Sequence, residues 1–434
     1  MLCSKCGKEI PENSQFCNIC GTKVEQPKPV NTDTAASRNA EKKKSSPLIR
    51  IAIWIIGVVF LAGSISGMSI PEMIGAIERG EPLWNHGLYD LENALKNQES
   101  VITIHKVNWD TKVCPWSQMG SFLRDYLAGN PELYYIDTKN TKITHTETAE
   151  DSFYTLNMVY FDDLTSDRAA ERLENAADRM LQSMPSHISD WEKALYIHDA
   201  LIRHVTYESG DRDQTAYGAL VDGKAVCMGY SMAYEYLLTK AGVECDTVIG
   251  YADSLSAAID SPVITVDLHA WSVVTFTENG VKRSYYVDTT WDDPDKKDTY
   301  GTDYVRHRWF CATQEDLDKE GRSTLQEGYD LSQWNLDDDA MNYYVYTNAV
   351  IDSYDLDEVI QIMQTQYLQG SNFLSLRMAD LDTYYDLKFA MEHGGDIQKL
   401  GEALGIHSYA YRFSYNYSGD GLLCFDIFLN YPGQ

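Results

Sequence analysis

The sequence predicts a compartmented chain of mixed helix and strand, with a small cysteine module, a membrane span and a larger acidic region. Three observations carry this. Four cysteines crowd into the first 20 residues, and the other five are scattered from Cys114 to Cys424. Ile51 to Ile70 carry no charge. Beyond that stretch, runs of helical periodicity alternate with strand-like runs bounded by glycine and asparagine. The chain has 434 residues, 44% of them hydrophobic, enough for two or three ordinary domains and too apolar for disorder. Its formal net charge is −29. Phosphate backbones repel such a surface, so a nucleic-acid partner is not expected.

Cys3, Cys6, Cys17 and Cys20 follow the spacing C-x2-C-x10-C-x2-C, and Gly7 and Gly21 follow the two pairs. Two tight turns of this kind bring four thiolates to one ion, a closed tetrahedral set that prefers structural Zn²⁺ and leaves no open position for catalysis. The four residues are similar to the short zinc-ribbon modules at the N-termini of bacterial membrane proteins. That assigns residues 1–23 to a zinc ribbon, with a cytoplasmic partner as its expected target. Residues 24–47 are polar and rich in Pro, Ser, Thr and Lys, the composition of a flexible linker.

Residues 48–70 are assigned to a transmembrane helix. The twenty uncharged residues would rise about 30 Å, the thickness of a bilayer's apolar layer. Lys42, Lys43, Lys44 and Arg50 precede the span, and the next basic residue after it is Arg79. Positive flanks stay inside, so the expectation is a single-pass protein of the cell membrane, cytoplasmic at its N-terminus and extracellular from about residue 72. The run begins too late for a cleaved signal peptide.

Next comes a segment read as a small α/β module over 80–165. It has helices near Leu88–Asn97 and Met119–Ala128, and strands at Val101–His105, Leu133–Ile136 and Phe153–Phe161. Residues 340–434 show a similar order. A helix opens at Tyr354-Asp355-Leu356, then come Phe373–Met378, a helix near Thr383–His393, and strands at Ser408–Tyr417 and Leu422–Leu429. The two are read as a weak internal repeat flanking the central region.

The central region holds the chemistry. Trp191, Ala194, Ile197, His198, Leu201 and Ile202 recur at helical spacing behind Ser189 and Asp190, either of which can cap the helix. Gly223 breaks the chain before Cys227, and Met228 to Ala241 reads as a helix, which puts Cys227 at a helix N-terminus where unpaired amides lower a thiol's pKa. Two strand-like runs follow, 263–276 with His269 and 284–293 with Asp288. A hairpin through Glu278-Asn279-Gly280 would put His269 and Asp288 on one side. With Cys227 alongside, the three make a thiol triad: base, carboxylate and nucleophile.

GKAVCMGYS, DLHAWSVV and YYVDTTWDD together resemble the transglutaminase-like (papain-type cysteine) superfamily, in a bacterial membrane-anchored form. The resemblance covers about residues 186–312, and a domain is drawn at 166–315. It implies an α+β fold with a nucleophile helix packed on an antiparallel sheet. It also implies acyl transfer at peptide or amide bonds, with Cys227 as nucleophile, His269 as general base and acid, and Asp288 as orienting carboxylate. No cofactor is implied for the chemistry. The superfamily also has members that use the fold only for binding, so a surface peptide-binding or sensor module is the alternative. The Cys227 amide is the expected first oxyanion donor, Gln214 or Tyr217 the second, and Trp271 and Trp291 the walls of the cleft. Asp292, Asp293 and Asp295 are read as a solvated loop in preference to a Ca²⁺ site. Cys114, Cys245, Cys311 and Cys424 have no ligand spacing and are read as buried thiols, with disulfides left open. An extracellular protein or wall peptide is the expected substrate. Hydrolysis and transamidation are equally compatible with the residues.

Overall fold

The structure, a computed structural model, describes residues 86–256, 263–278, 280–293, 304–319, 323–324, 334–371, 373–406, 411–416 and 423–429. The four N-terminal cysteines, the linker and the apolar span Ile51–Ile70 lie outside these residues. No helix among the described residues is long and apolar enough to cross a membrane. All of the described residues belong to one compact unit, residues 84–434.

The first part of that unit runs α1 (His86–Lys96), β1 (Val101–His105), α2 (Met119–Ala128), β2 (Lys142–Glu147) and β3 (Ser152–Asn157). The strands form an antiparallel sheet in the order β1-β3-β2. Leu91, Leu95, Ile102, Ile104, Leu123 and Leu156 form its core. The expected strand at Leu133–Ile136 is absent as such. Pro131 and an Asn130 side chain that accepts from the Glu132 amide set a short 3-10 turn there, and only Ile136 bridges to Tyr160. The sheet instead takes β2, a polar strand with no fully buried residue, which hydrophobic patterning cannot flag.

Two helices follow, α3 (Asp167–Leu181) and α4 (Asp190–His204). Ser189 starts α4 with a full capping box, its side chain accepting from the Glu192 amide while Glu192 reaches back to the Ser189 amide. The predicted apolar face is the buried one: Trp191, Ala194, Ile197, His198, Leu201 and Ile202. A two-stranded parallel pair, β4 (Thr206–Tyr207) and β5 (Lys224–Ala225), brackets a π-helical turn at Gly218–Asp222. Gly223 leaves that turn with φ +70°, a conformation that favours glycine, and the chain enters α5 (Cys227–Lys240).

α5 packs on a five-stranded antiparallel sheet, order β10-β6-β7-β8-β9, built from β6 (Glu244–Ser256), β7 (Val263–Glu278), β8 (Val281–Val287), β9 (Phe310–Ala312) and β10 (Ser323–Thr324). A short helix α6 (Gln314–Lys319) precedes β10. Side-chain alternation gives the sheet two apolar faces. Val274, Phe276, Tyr285 and Val287 meet α5 and α4, while Val248, Trp271, Val273 and Tyr286 meet Trp309, Leu317, Leu336 and Tyr344 on the other side. β7 and β8 pair from Glu278↔Val281 to Ser272↔Val287; Asn279 lies outside the described residues. Gly280 has φ +79°.

The remaining elements are α7 (Tyr343–Tyr346), β11 (Val350–Ile351), α8 (Leu356–Leu368), β12 (Phe373–Met378), α9 (Leu381–His393), α10 (Asp396–Leu404), β13 (Tyr411–Asn416) and β14 (Leu423–Leu429). Their sheet has the order β11-β12-β14-β13. The succession α8-β12-α9-β13-β14, with the last strand central, matches α1-β1-α2-β2-β3 with β3 central. The second copy adds α10 and the edge strand β11.

Candidate active site

Cys227 is the first residue of α5. Its N-cap, Val226, offers no side-chain acceptor, so no side chain caps the first-turn amides at the end that carries the sulfur. Two glycines let the preceding loop close over this helix start. A Cβ on Gly229 would lie 2.3 Å from the Asp213 carbonyl oxygen, and one on Gly218 only 2.1 Å from that of Arg212. The Val226 amide donates to the Asp213 carbonyl, and the buried Asp213 carboxylate meets Lys139 at 2.6 Å and accepts from the Gly210 amide.

His269 sits on β7 past the point where β8 stops. The last β7–β8 pair is Ser272↔Val287, so β7 has no β8 partner at 269–271. The Ala270 backbone there hydrogen-bonds the Cys227 sulfur, and the His269 side chain does the same. His269 Nε2 lies 2.8 Å from Asp288 Oδ2, both groups buried, which leaves Nδ1 as the ring nitrogen for the sulfur. Asp288 follows β8 directly. Its Oδ1 accepts from the Thr290 amide (3.1 Å) and the Trp291 amide (3.0 Å), so the turn itself aims the carboxylate. A one-residue bulge assists: Tyr286 pairs with Ala312 but Val287 with Phe310, and the extra residue, Cys311, has φ +58°.

The electrostatics follow. Burial raises the Cys227 thiol, but the hydrogen bond and charge of His269 and the Ala270 backbone outweigh it and hold the thiol below its ordinary value. Burial lowers His269, yet the Asp288 charge and hydrogen bond, with Cys227, push it up to about 9. The other described cysteines go the opposite way. Burial raises Cys114, Cys245, Cys311 and Cys424, and all are free thiols. Cys227 alone among the five is not fully buried.

Trp271 is buried and stands behind the imidazole, ring centroids 5.8 Å apart, with no hydrogen-bond partner for its Nε1. Trp291, 37% exposed and also 5.8 Å from the His269 ring, is the wall that faces solvent. Of the two residues expected to supply a second oxyanion donor, Tyr217 is in the core, stacked on Tyr134 at 5.9 Å with Arg172 and Arg212 over its ring. Gln214 accepts from Thr138 at 3.2 Å. Another phenol, Tyr207, is half exposed at the end of β4 and 6.3 Å from the Tyr230 ring. Burial raises its pKa first, and the negative charges of Cys227, Asp213 and Asp288 raise it further. Its only sequence signal was its place directly after α4.

The acidic turn is not a solvated loop over its described part. Asp292 is fully buried, accepting from the Trp309 amide and facing His198, and Asp293 takes the Tyr230 hydroxyl at 2.5 Å. Asp295 lies outside the described residues. A cavity of about 570 Å³ among the described residues is not at the sulfur. It lies toward the far end of α5, between Tyr126, Pro131, Glu235 and Lys240. That cavity lacks a cysteine nucleophile, and the groups around the Cys227 sulfur mark the candidate active site.

Residues 175–288 match the family model of the transglutaminase-like superfamily, and residues 2–24 match that of a zinc-ribbon domain. The chain thus carries a transglutaminase-like domain and an N-terminal zinc-ribbon domain. No curated protein matches it. Among solved structures, the crystal structure of a TGase is similar at 10% identity over 42% of this chain and 50% of its own, with TM-score 0.24. A candidate cysteine protease from Cytophaga hutchinsonii is similar at 13% identity over 35% and 63%, TM-score 0.22. A candidate protease from Parabacteroides distasonis is similar at 11% identity over 35% and 39%, TM-score 0.18. The chain spans between 39% and 63% of these proteins' lengths.

Proposed function

We propose that the chain is a membrane-anchored cysteine enzyme that transfers acyl groups from peptide or amide bonds outside the cell. The observation that carries this reading is His269 standing between the Cys227 sulfur and the Asp288 carboxylate. The imidazole takes the thiol proton, and Asp288 holds the tautomer and stabilises the imidazolium. The thiolate attacks the amide carbon, and the carbonyl oxygen becomes an oxyanion at the N-terminus of α5, with the Tyr207 hydroxyl as second donor. The C–N bond breaks as His269 protonates the leaving amine, giving a thioester on Cys227. Water or a second amine, deprotonated by His269, then attacks the thioester carbon, and the thiolate leaves. Water gives a peptidase or amidase; a lysine amine gives a cross-linker.

The apolar span and its basic flank support anchorage with the enzyme outside, where secreted proteins and wall peptides would be substrates. The four thiolates of the ribbon, Cys3, Cys6, Cys17 and Cys20, fit structural Zn²⁺ by donor chemistry, and the ribbon would dock a cytoplasmic partner. Iodoacetamide labelling at neutral pH tests the enzyme reading. Cys227 should react far faster than the other four described cysteines, and His269→Ala should abolish that advantage. Equal labelling of Cys227 in both proteins would instead indicate a binding module.

A further inference from the structure

A second cluster of metal-binding groups lies beneath the turn that carries Asp288. His198 Nδ1, Asp199 Oδ1 and His307 Nε2 all lie within 4.8 Å of one another. Asp199 Oδ1 is 3.1 Å from His198 Nδ1 and 2.8 Å from His307 Nε2. His198 and Asp199 come from α4, and His307 from the segment before β9. We propose that these three side chains bind one divalent cation of the zinc class, in a site separate from the N-terminal cysteines.

Four features of the geometry support this. Tetrahedral donors at ordinary zinc bond lengths sit roughly 3.4 Å apart, so small movements would accommodate the ion. The far nitrogen of His198, Nε2, faces Asp292 Oδ2 at 3.2 Å, and Asp292 is itself held by the Trp309 amide. A carboxylate behind a ligating histidine is the usual outer partner that fixes its tautomer. Both rings are clamped: His307 stacks on Tyr343 at 4.1 Å, and His198 meets Phe310 edge-on at 5.2 Å. Finally, the completely buried His198 stands between two carboxylates, Asp199 and Asp292, a concentration of negative charge that a divalent ion would offset. A divalent ion replaces the two protons aimed at Asp199, leaves both imidazoles neutral, and balances the two enclosed carboxylates. The outer Asp199 oxygen meets Arg203 at 3.3 Å. Side-chain exposures of 22% at Asp199 and 13% at His307 give the ion a path to solvent.

Such an ion would tie α4 to the segment whose Trp309 holds the active-site turn, its amide donating to Asp292 and its carbonyl accepting from Asp288. The site needs no catalytic activity from Cys227, and its test is independent of that reading. The experiment uses the full chain with Cys3, Cys6, Cys17 and Cys20 changed to Ser and Cys227→Ala, so that no other assigned ligand competes. After EDTA treatment and incubation with Zn²⁺, one equivalent should survive gel filtration, and the thermal midpoint should rise. Asp199→Asn and His307→Gln should each lower the affinity at least tenfold. Co²⁺ should give visible d–d absorption without a thiolate band, and His307→Cys should add that band. No retained equivalent, an equivalent untouched by both substitutions, or bound cobalt without the new band in His307→Cys would overturn the proposal.

Discussion

Replacing Asp288 by Asn tests the assembled site with the least disturbance. The amide oxygen of Asn can keep accepting from the Thr290 and Trp291 amides, so the turn is preserved. Its NH₂ then faces His269 Nε2, a donor opposite a donor, and the imidazole must switch tautomer or turn away. The buried imidazole also loses the charge that lifts it to about 9. A return to the ordinary 6.5 removes about 3.5 kcal/mol of support for the thiolate–imidazolium pair, at roughly 1.4 kcal/mol per pKa unit. That corresponds to a fall on the order of 100-fold in thiolate population at neutral pH. The assay is the rate of Cys227 alkylation by iodoacetamide from pH 5 to 10, followed by mass spectrometry. In the wild type the midpoint should lie below an ordinary thiol's. In Asp288→Asn it should move up to that value or beyond, with the rate at pH 7 falling by one to two orders of magnitude. A midpoint unchanged in the variant would refute the coupling of Asp288 to the sulfur through His269.

Tyr207→Phe should slow acylation by an amide substrate about 10- to 100-fold, in the range of a single oxyanion donor, while leaving alkylation unchanged. Gly229→Ala should destabilise the fold by roughly 1–3 kcal/mol in urea melts and slow alkylation, because the new methyl meets the Asp213 carbonyl. His269 is raised from its unfolded value near 6.5 to about 9, so its stabilising contribution is complete below pH 6.5 and is lost as pH rises through 9. Urea midpoints should therefore fall between pH 7 and 10, and by less in His269→Gln.

The approach of His269 to Asp288, with Cys227 beside them, was legible because each of the three is marked locally. Gly223 and the helical run after Cys227 place the sulfur, Asn279-Gly280 sets the hairpin, and Asp288 ends a strand. The burial of Tyr217 was not legible, because the π-helical turn that follows it at Gly218–Asp222 has no periodicity to read. Nor was the surrounding of Asp292. Its partners His198 and Trp309 lie 94 and 17 residues away, and a carboxylate in DTTWDDPD looks solvated until those segments close over it. The polar strand β2 failed for a simpler reason, since it has no apolar face to detect. The zinc ribbon rests on its spacing and on the family match over residues 2–24, and the membrane span on hydropathy alone; both lie outside the described residues.

Six consecutive residues, 288–293, reach into four different parts of the molecule: the imidazole on β7, the open wall of the cleft, the floor under α4 and the first turn of α5. The grips on His198 and Tyr230 cannot form until segments 94 and 63 positions apart have met. On the proposed reading, a nascent or partly unfolded chain carries an ordinary, sluggish thiol, and its nucleophilicity arrives only with the finished structure.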